Sequence, residues 1–338
     1  MWQSNLRCLL GEYSIETEVW QVNVTAPGYE ATQAMIVAEE LTKRFDDFTA
    51  VDQVTFSVFA GEVLALLGPN GAGKTTTVRM LASILAPTSG RVRVAGRDTV
   101  ADAQFVRRQV GILTEFPGLY LRMKSLEYLD FFGQLYGLSA GRRCQRSAEL
   151  LELFGMVEAA DKRLGECSKG MRQKMALIRA LLHDPPVLLL DEPTSAMDPR
   201  SAKQVRDCIR DLRSEQRAIV LCTHNLPEAE DLADRIAIIR RGQIISLGTP
   251  TELKKRLLGP PLLELRWRAS SDGHLPALDD LITVESQGQG WLRYRAAQPE
   301  VVNPCLLHRL DEAAVEVVTL SEVPRRLEDV YLRVVEEE

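Results

Sequence analysis

The sequence predicts an α/β protein built around a buried parallel sheet, with a small α+β unit after it. Two observations carry the first half. "VLALL" (Val63–Leu67) and "VLLLD" (Val187–Asp191) are short, continuous apolar runs. A strand covered on both faces loses the in–out alternation of a half-exposed strand and shows this pattern. The first run is also followed by a glycine-rich turn and then by "TTTVRMLASIL", which is helical in pattern. For the second half, the chain after Gly259-Pro260-Pro261 changes character. "LLELRW" alternates, and "LITVES", "GQG" and "WLRYRA" have the order of a hairpin.

Bulk properties narrow the choice. The 338 residues are enough for one large domain or two smaller ones, and 45% hydrophobic with 26% charged residues is ordinary globular composition. A net charge of -6 argues against a nucleic-acid binder held by phosphate contacts. No apolar run is long enough to span a bilayer, so a membrane role would come through a partner. The N-terminus lacks the charged and apolar segments of a secretory signal. The six cysteines make no CxxC pair and the four histidines are dispersed, so no zinc site is expected and reduced intracellular thiols are the default.

Along the chain, residues 1–34 show weak periodicity and are left unassigned. Clear patterning starts at "MIVAEELTKRF", from Met35, and stays dense to about Leu257. Beyond the Gly-Pro-Pro breaker, "NPCLLHRLDEAA" is helical in pattern, "VEVVTL" extended and "RRLEDVYLRVVEEE" helical. This order suggests a β-α-β-β-α-β unit with a final helix.

Chemistry concentrates in four stretches. In "GPNGAGKTT", Gly68, Gly73, Lys74 and Thr75 satisfy G-x-x-x-x-G-K-S/T between a strand and a helix. Glycines let the backbone wrap a phosphate. Lys74 then reaches the β- and γ-phosphates, and the Thr75 hydroxyl holds Mg²⁺. In "VLLLDEPTSAMDP", Asp191 ends a strand where ligands bind in such sheets, and supports Mg²⁺ through water. Glu192 follows as a base toward a water attacking the γ-phosphate, or else is a surface acid. "IVLCTH" ends in His224, a donor to the γ-phosphate or a structural histidine. In "ECSKGMRQKMALIRALL", Ser168 caps a helix whose N-terminus, with Lys169 and Gly170, forms an anion site. Nothing nearby supplies the anion, and Ser168 as a plain surface cap is the other reading.

In this order the pieces resemble the nucleotide-binding domain of ABC transporters, from about Ile36 to Leu257, with five separated motifs in agreement. The resemblance implies a P-loop NTPase of the ABC type with a helical subdomain over residues 35–257. Residues 1–34 are then an N-terminal extension and residues 260–338 a small α+β accessory domain. It implies ATP as ligand against Gly68, Pro69, Asn70, Gly71, Ala72, Gly73, Lys74, Thr75 and Thr76, with adenine stacked on Phe45. "CSKGMRQK" looks like the signature motif, which in the family meets the γ-phosphate of ATP held by the opposite subunit. That supplies the missing anion for Ser168, Lys169 and Gly170. "SAMD", ending in Asp198, looks like the loop that links the two sites across the dimer.

Four positions depart from the family pattern. Cys167 replaces the signature leucine, Lys169 its first glycine and Met171 its glutamine. Glu115 stands where a glutamine is usual, and an ionised carboxylate accepts but cannot donate, which leaves it a Mg²⁺-bound water to serve. "SKGMRQK", the segment after Glu115 and "LEDVYLRV" together resemble ATP-binding subunits of bacterial exporters of the drug, sodium and polysaccharide type. That branch implies a second copy of the chain or a paralogous ATPase subunit, separate transmembrane permease subunits, no nucleic acid, and a place on the cytoplasmic face of the inner (plasma) membrane. Phe116, Tyr120 and Tyr128 are the expected exposed aromatics for a short helix of the membrane partner, and ordinary core of a helical subdomain is the other reading for residues such as Leu126 and Phe131. Non-transport ABC proteins usually carry two cassettes or a long coiled coil, and a stand-alone P-loop kinase lacks the "SKGM" stretch.

Overall fold

The computed structural model describes residues 34–195, 197–213, 217–268 and 275–336, with side chains to Leu332 in the last helix. The expected N-terminal extension, apart from Ala34, lies outside the described residues.

The chain opens with a hairpin, β1 (Ala34–Phe45) and β2 (Phe48–Phe59). β3 (Val63–Leu67) runs through the glycine loop into α1 (Lys74–Leu81). β4 (Ser89–Val94) and β5 (Arg97–Asp98) join the hairpin in a sheet of order β2-β1-β4-β5. α2 (Ala103–Gln109) and β6 (Val110–Leu113) lead to a helical stretch of α3 (Ser125–Leu135), α4 (Ala140–Leu153) and α5 (Lys169–Leu181). Strand and helix then alternate through β7 (Val187–Asp191), α6 (Pro199–Asp211), β8 (Ala218–Thr223), α7 (Leu226–Leu232), β9 (Arg235–Arg240), β10 (Gln243–Gly248) and α8 (Pro250–Leu258).

The second sheet has the order β10-β9-β3-β8-β7-β6, parallel except for β10. β3, β7 and β8 are buried at every position, which is why their sequences are unbroken apolar runs. This order and register place the site. β8 lies between β3 and β7, with Leu67 opposite Thr223 and Asp191 opposite Cys222. Three loops from distant parts of the sequence therefore leave the same edge of the sheet side by side, where ligands bind in such folds.

α1 stops earlier than its pattern suggests. Ala82 caps it and Ser83 takes φ 56°, so Ile84 and Leu85 donate their N–H groups back to the Arg79 carbonyl. Pro87 could not have continued the helix in any case.

α3 corrects the expectation for the aromatic segment. Its buried positions are Ser125, Tyr128, Leu129 and Gly133, one helical stripe. Tyr128 is 0% exposed, and its hydroxyl accepts a 2.8 Å hydrogen bond from Arg179 of α5. Burial pushes its phenol up to about 12. Leu126 and Phe131, for which the core is the other reading, are exposed.

The C-terminal segment has β11 (Leu262–Trp267), β12 (Thr283–Gly288), β13 (Trp291–Arg295), α9 (Pro299–Glu312), β14 (Val317–Glu322) and α10 (Leu327–Glu336). Its sheet runs β12-β13-β11-β14 over a core that includes Leu265, Leu292, Tyr294, Leu306 and Leu310. The helix expected between its first two strands is absent among the described residues, so the order there is β-β-β-α-β-α. α10 turns back onto the larger α/β body. Leu327 and Val330 are fully buried in one cluster with Ala229 of α7, Leu253 of α8 and Leu67 of β3. Among the described residues no helix is long and apolar enough to cross a membrane.

Candidate nucleotide site

The glycine loop cannot take other residues at two points. A Cβ on Gly68 would lie 2.3 Å from the Ile239 carbonyl oxygen. Gly73 has φ 105°, and a Cβ there would meet the Ala50 carbonyl at 2.4 Å. These close approaches hold the loop against the sheet, with Pro69, Asn70 and Gly71 exposed and Ala72 buried. Lys74, the first residue of α1, curls into the loop. Its Nζ donates to Gly68 O at 2.6 Å and Pro69 O at 3.1 Å, and lies 4.0 Å from Glu192. Thr75 turns toward β7 and donates to Asp191 Oδ2 at 2.8 Å. Thr76 is half-buried one residue further along α1.

Glu192 leaves β7 in the left-handed region, φ 51°. For a residue with a side chain this costs roughly 1–2 kcal/mol. The turn lets the Glu192 N–H donate to Cys222 O at 2.9 Å and aims its carboxylate at the end of β8. There the His224 N–H donates to Oε1 at 3.1 Å, and His224 Nδ1 lies 2.8 Å from the same oxygen. The His224 side chain is 56% exposed, so its ring reaches outward from a buried carboxylate.

Asp191 is nearly inaccessible, and its Oδ1 has no hydrogen-bond partner. Burial pushes its carboxyl up; the Thr75 hydroxyl opposes this, Glu192 and Glu115 reinforce it, and Lys74 opposes it. A buried, unsatisfied carboxylate oxygen is costly unless a cation or donor arrives. Lys74, Thr75 and this oxygen fit a triphosphate with a divalent ion, the hard oxygen donors that Mg²⁺ takes.

The structure thus brings together the loop, Lys74, Thr75, Asp191, Glu192 and His224. Glu115 is exposed and acts on Asp191 only through its field. Phe45, 44% exposed, ends β1 with the Lys43 ammonium 5.2 Å from its ring centre.

The signature stretch belongs elsewhere. Ser168 is the N-cap of α5 and accepts from the Met171 N–H at 3.2 Å. Lys169 is exposed, and Cys167 is buried beneath the turn. Asp198 caps α6, accepting from Arg200 and Ser201 N–H groups, and hydrogen bonds, first from Ser201, hold its carboxyl below the usual range. A methyl on Gly170 would sit 3.6 Å from the Ser201 hydroxyl, so the two helix starts are neighbours. None of the hydrogen bonds of Ser168, Lys169 or Asp198 among the described residues reaches the glycine loop. Ala196 lies outside the described residues.

One group escaped the sequence reading. Glu228 is 2% exposed and accepts from the hydroxyls of Thr194 at 2.6 Å and Thr223 at 2.7 Å. Burial pushes its carboxyl up, and the two hydroxyls pull against that. The only local sign in the sequence is Asn225 three residues before it, the spacing of a helix cap with a surface glutamate.

Comparison with known proteins gives the family. Residues 51–195 match the ABC transporter family. An uncharacterized ABC transporter ATP-binding protein of Bacillus subtilis (strain 168) is 39% identical over 89% of this chain and 99% of its own. The Nod factor export ATP-binding protein I of Ralstonia nicotianae is 35% identical over 91% of this chain and 95% of its own. A dimeric ATP-binding cassette solved in a post-hydrolysis state with ADP and Pi superposes with a TM-score of 0.59 at 24% identity, over 64% of this chain and 98% of that one. Because the Bacillus relative is 39% identical over 99% of its own length, the chain belongs to the ATP-binding proteins of ABC transporters, and is an ATPase.

Proposed function

We propose that two copies of this chain, or this chain and a paralogue, close around two ATP molecules and drive export through separate membrane subunits. The observation that carries the reading is the split of the phosphate-binding groups. One set converges at the ends of β3, β7 and β8, and the other stands open at the starts of α5 and α6. Each ATP is then held by the glycine loop and Lys74 of one chain and capped by Ser168, Lys169 and Gly170 of the other, while Asp198 lies at the seam. Phe45 stacks on the adenine. The dimeric state of the superposed cassette, and the export role in the name of the Ralstonia relative, support the same arrangement.

Thr75 and Asp191 would hold Mg²⁺, with Glu115 at its water shell. When bound, the ion neutralises charge on the phosphate oxygens. Lys74 leaves the carbonyls of Gly68 and Pro69 for the β- and γ-phosphates. Glu192 takes the proton of the attacking water, and His224, held on Glu192 through Nδ1, presents Nε2 to the γ-phosphate. Closure converts binding energy into a change in the membrane partner, and hydrolysis resets it.

The partner's short helix docks on the exposed apolar surface of Phe116, Tyr120, Leu121, Leu126 and Phe131. Arg179 connects that surface to α5, donating to both Pro117 O and the Tyr128 hydroxyl. The assembly places the chain on the cytoplasmic face of the inner membrane. Glu192→Gln tests the reading. It should bind ATP, accumulate as a closed dimer on size exclusion and hydrolyse at least about 100-fold more slowly, as expected on losing a general base. Turnover at the wild-type rate would remove Glu192 from the role.

A further inference from the structure

We infer that Glu228 is a positioning residue for hydrolysis: it locks the loop that carries Glu192 to the loop that carries His224. The inference deepens the site assignment above and rests on it. Glu192 and His224 come from the ends of different strands; the His224 N–H donates to Glu192 Oε1 at 3.1 Å, and the two side chains meet in one 2.8 Å contact. That contact survives only if the two loops keep their relative place. Each Glu228 oxygen holds one of them. Oε1 accepts from Thr194, two residues past Glu192, and Oε2 accepts from Thr223, the residue before His224.

The chemistry of the linkage favours a carboxylate over a filler. An ionised carboxylate only accepts, so both hydroxyl hydrogens are directed inward. Thr223 Oγ1 is then left to accept the Asn225 N–H at 3.0 Å, while Asn225 Oδ1 accepts the Glu228 N–H at 3.1 Å. Among the described residues no cation hydrogen-bonds Glu228; Arg206 acts on it only through its field, and Glu192 opposes its charge. A buried carboxylate met only by hydroxyls is a poor device for stability alone. Its carrier is well anchored, since Ala229, the next residue, packs under Leu327 and Val330 of α10. The Thr194 arm also extends the linkage toward the loop that ends at Asp198.

The test is kinetic. Glu228→Gln keeps size and one acceptor but brings donors to a site built for acceptors. It should leave ATP affinity and KM within about 3-fold and lower kcat by about 10- to 100-fold, the cost of a misplaced catalytic contact. Thr194→Val and Thr223→Val should each lower kcat, Thr→Ser at either position should restore it, and combining Glu228→Gln with Thr223→Val should add little, because both break one linkage. Melting temperatures and nucleotide binding, measured on every variant, show that each is folded. Should Glu228→Gln fail to fold, the valine and serine pairs decide alone. A wild-type kcat in Glu228→Gln, or valine variants that lose stability and KM together with no selective fall in kcat, would overturn the proposal. Glu192→Gln run alongside separates the two readings: if it still turns over, the base assignment fails, whereas a wild-type Glu228→Gln beside a dead Glu192→Gln condemns only the linkage.

Discussion

Lys74 and Lys169 both stand in the first turn of a helix, and their surroundings are opposite. Neither helix has an acid in its first turn, so both present an unopposed positive end. Lys74 is 6% exposed and tied to two loop carbonyls, with Asp191, Glu192 and His224 arranged beyond it. Lys169 is exposed and has no side-chain partner among the described residues. Ser168 beside it spends its hydroxyl on its own helix. The same local device is thus a finished pocket in one place and an open half in the other. What separates them is tertiary: the ends of β7 and β8 stand in front of α1, whereas among the described residues none gives the Lys169 side chain a partner at the start of α5. In the proposed arrangement a second copy or a paralogue completes that half-site.

The largest effect should come from the finished half. Lys74→Ala removes a buried ammonium from the phosphates and leaves Gly68 O and Pro69 O without their donor. Truncating one partner of a buried, charge-assisted contact costs roughly 3 kcal/mol or more, over a hundredfold in Kd. Equilibrium binding of a fluorescent ATP analogue should show that loss. Wild-type affinity would mean that enclosure is not what makes α1 the stronger site.

A smaller and more discriminating effect concerns Ser168. Ser168→Arg places bulk at the open half, so its homodimers should neither occlude nor hydrolyse ATP. Homodimers of Lys74→Ala should fail for a different reason. In a heterodimer of the two, both defects fall on one composite site. The other site pairs an intact glycine loop with an intact α5 turn. Verified heterodimers should therefore occlude labelled ATP at one site. If α5 acted within its own chain, every site would carry one defect and mixing would rescue nothing. Ser168→Ala is the control for the lost cap, worth about 1 kcal/mol of stability.

The comparison also explains which parts were legible in the sequence. The finished half was legible because its pieces are local. A phosphate cradle needs glycines, a lysine and a threonine within one loop, and buried parallel strands write themselves as "VLALL" and "VLLLD". Tyr128 was misjudged because "YLDFFGQL" is apolar nearly all round, so periodicity does not choose a face. Its partner Arg179 is 51 residues away. Glu228 was missed because spacing from Asn225 marks a surface cap, while its oxygens are held by Thr194, in the turn after β7 and 34 residues away, and by Thr223 at the end of β8. The C-terminal strands were legible through alternation and Gly290, which takes φ 77° in the hairpin turn. The return of α10 onto α7 was not, since Leu327 and Val330 carry no mark of what they pack against.

The smallest expected effect belongs to Lys169. It is solvated, so its attraction for a phosphate on a partner subunit is that of a surface charge, on the order of 0.5–1 kcal/mol. Lys169→Ala should raise the KM for ATP by about 2- to 5-fold at low ionic strength, and the difference should fade as salt shortens the screening length below about 8 Å. Lys74→Ala should show no such recovery, because its contacts are shielded from the solvent ions. Lys169→Glu, which reverses the charge, should exceed Lys169→Ala and share its salt dependence. If Lys169→Ala were as damaging as Lys74→Ala and equally indifferent to salt, the α5 turn would already be enclosed within one chain. The contrast between a finished and an open half would then fall. If Lys169→Glu had no effect even at low salt, the open half would remain, but the lysine would not face the phosphate, leaving Ser168 and the backbone N–H groups of α5 to hold it.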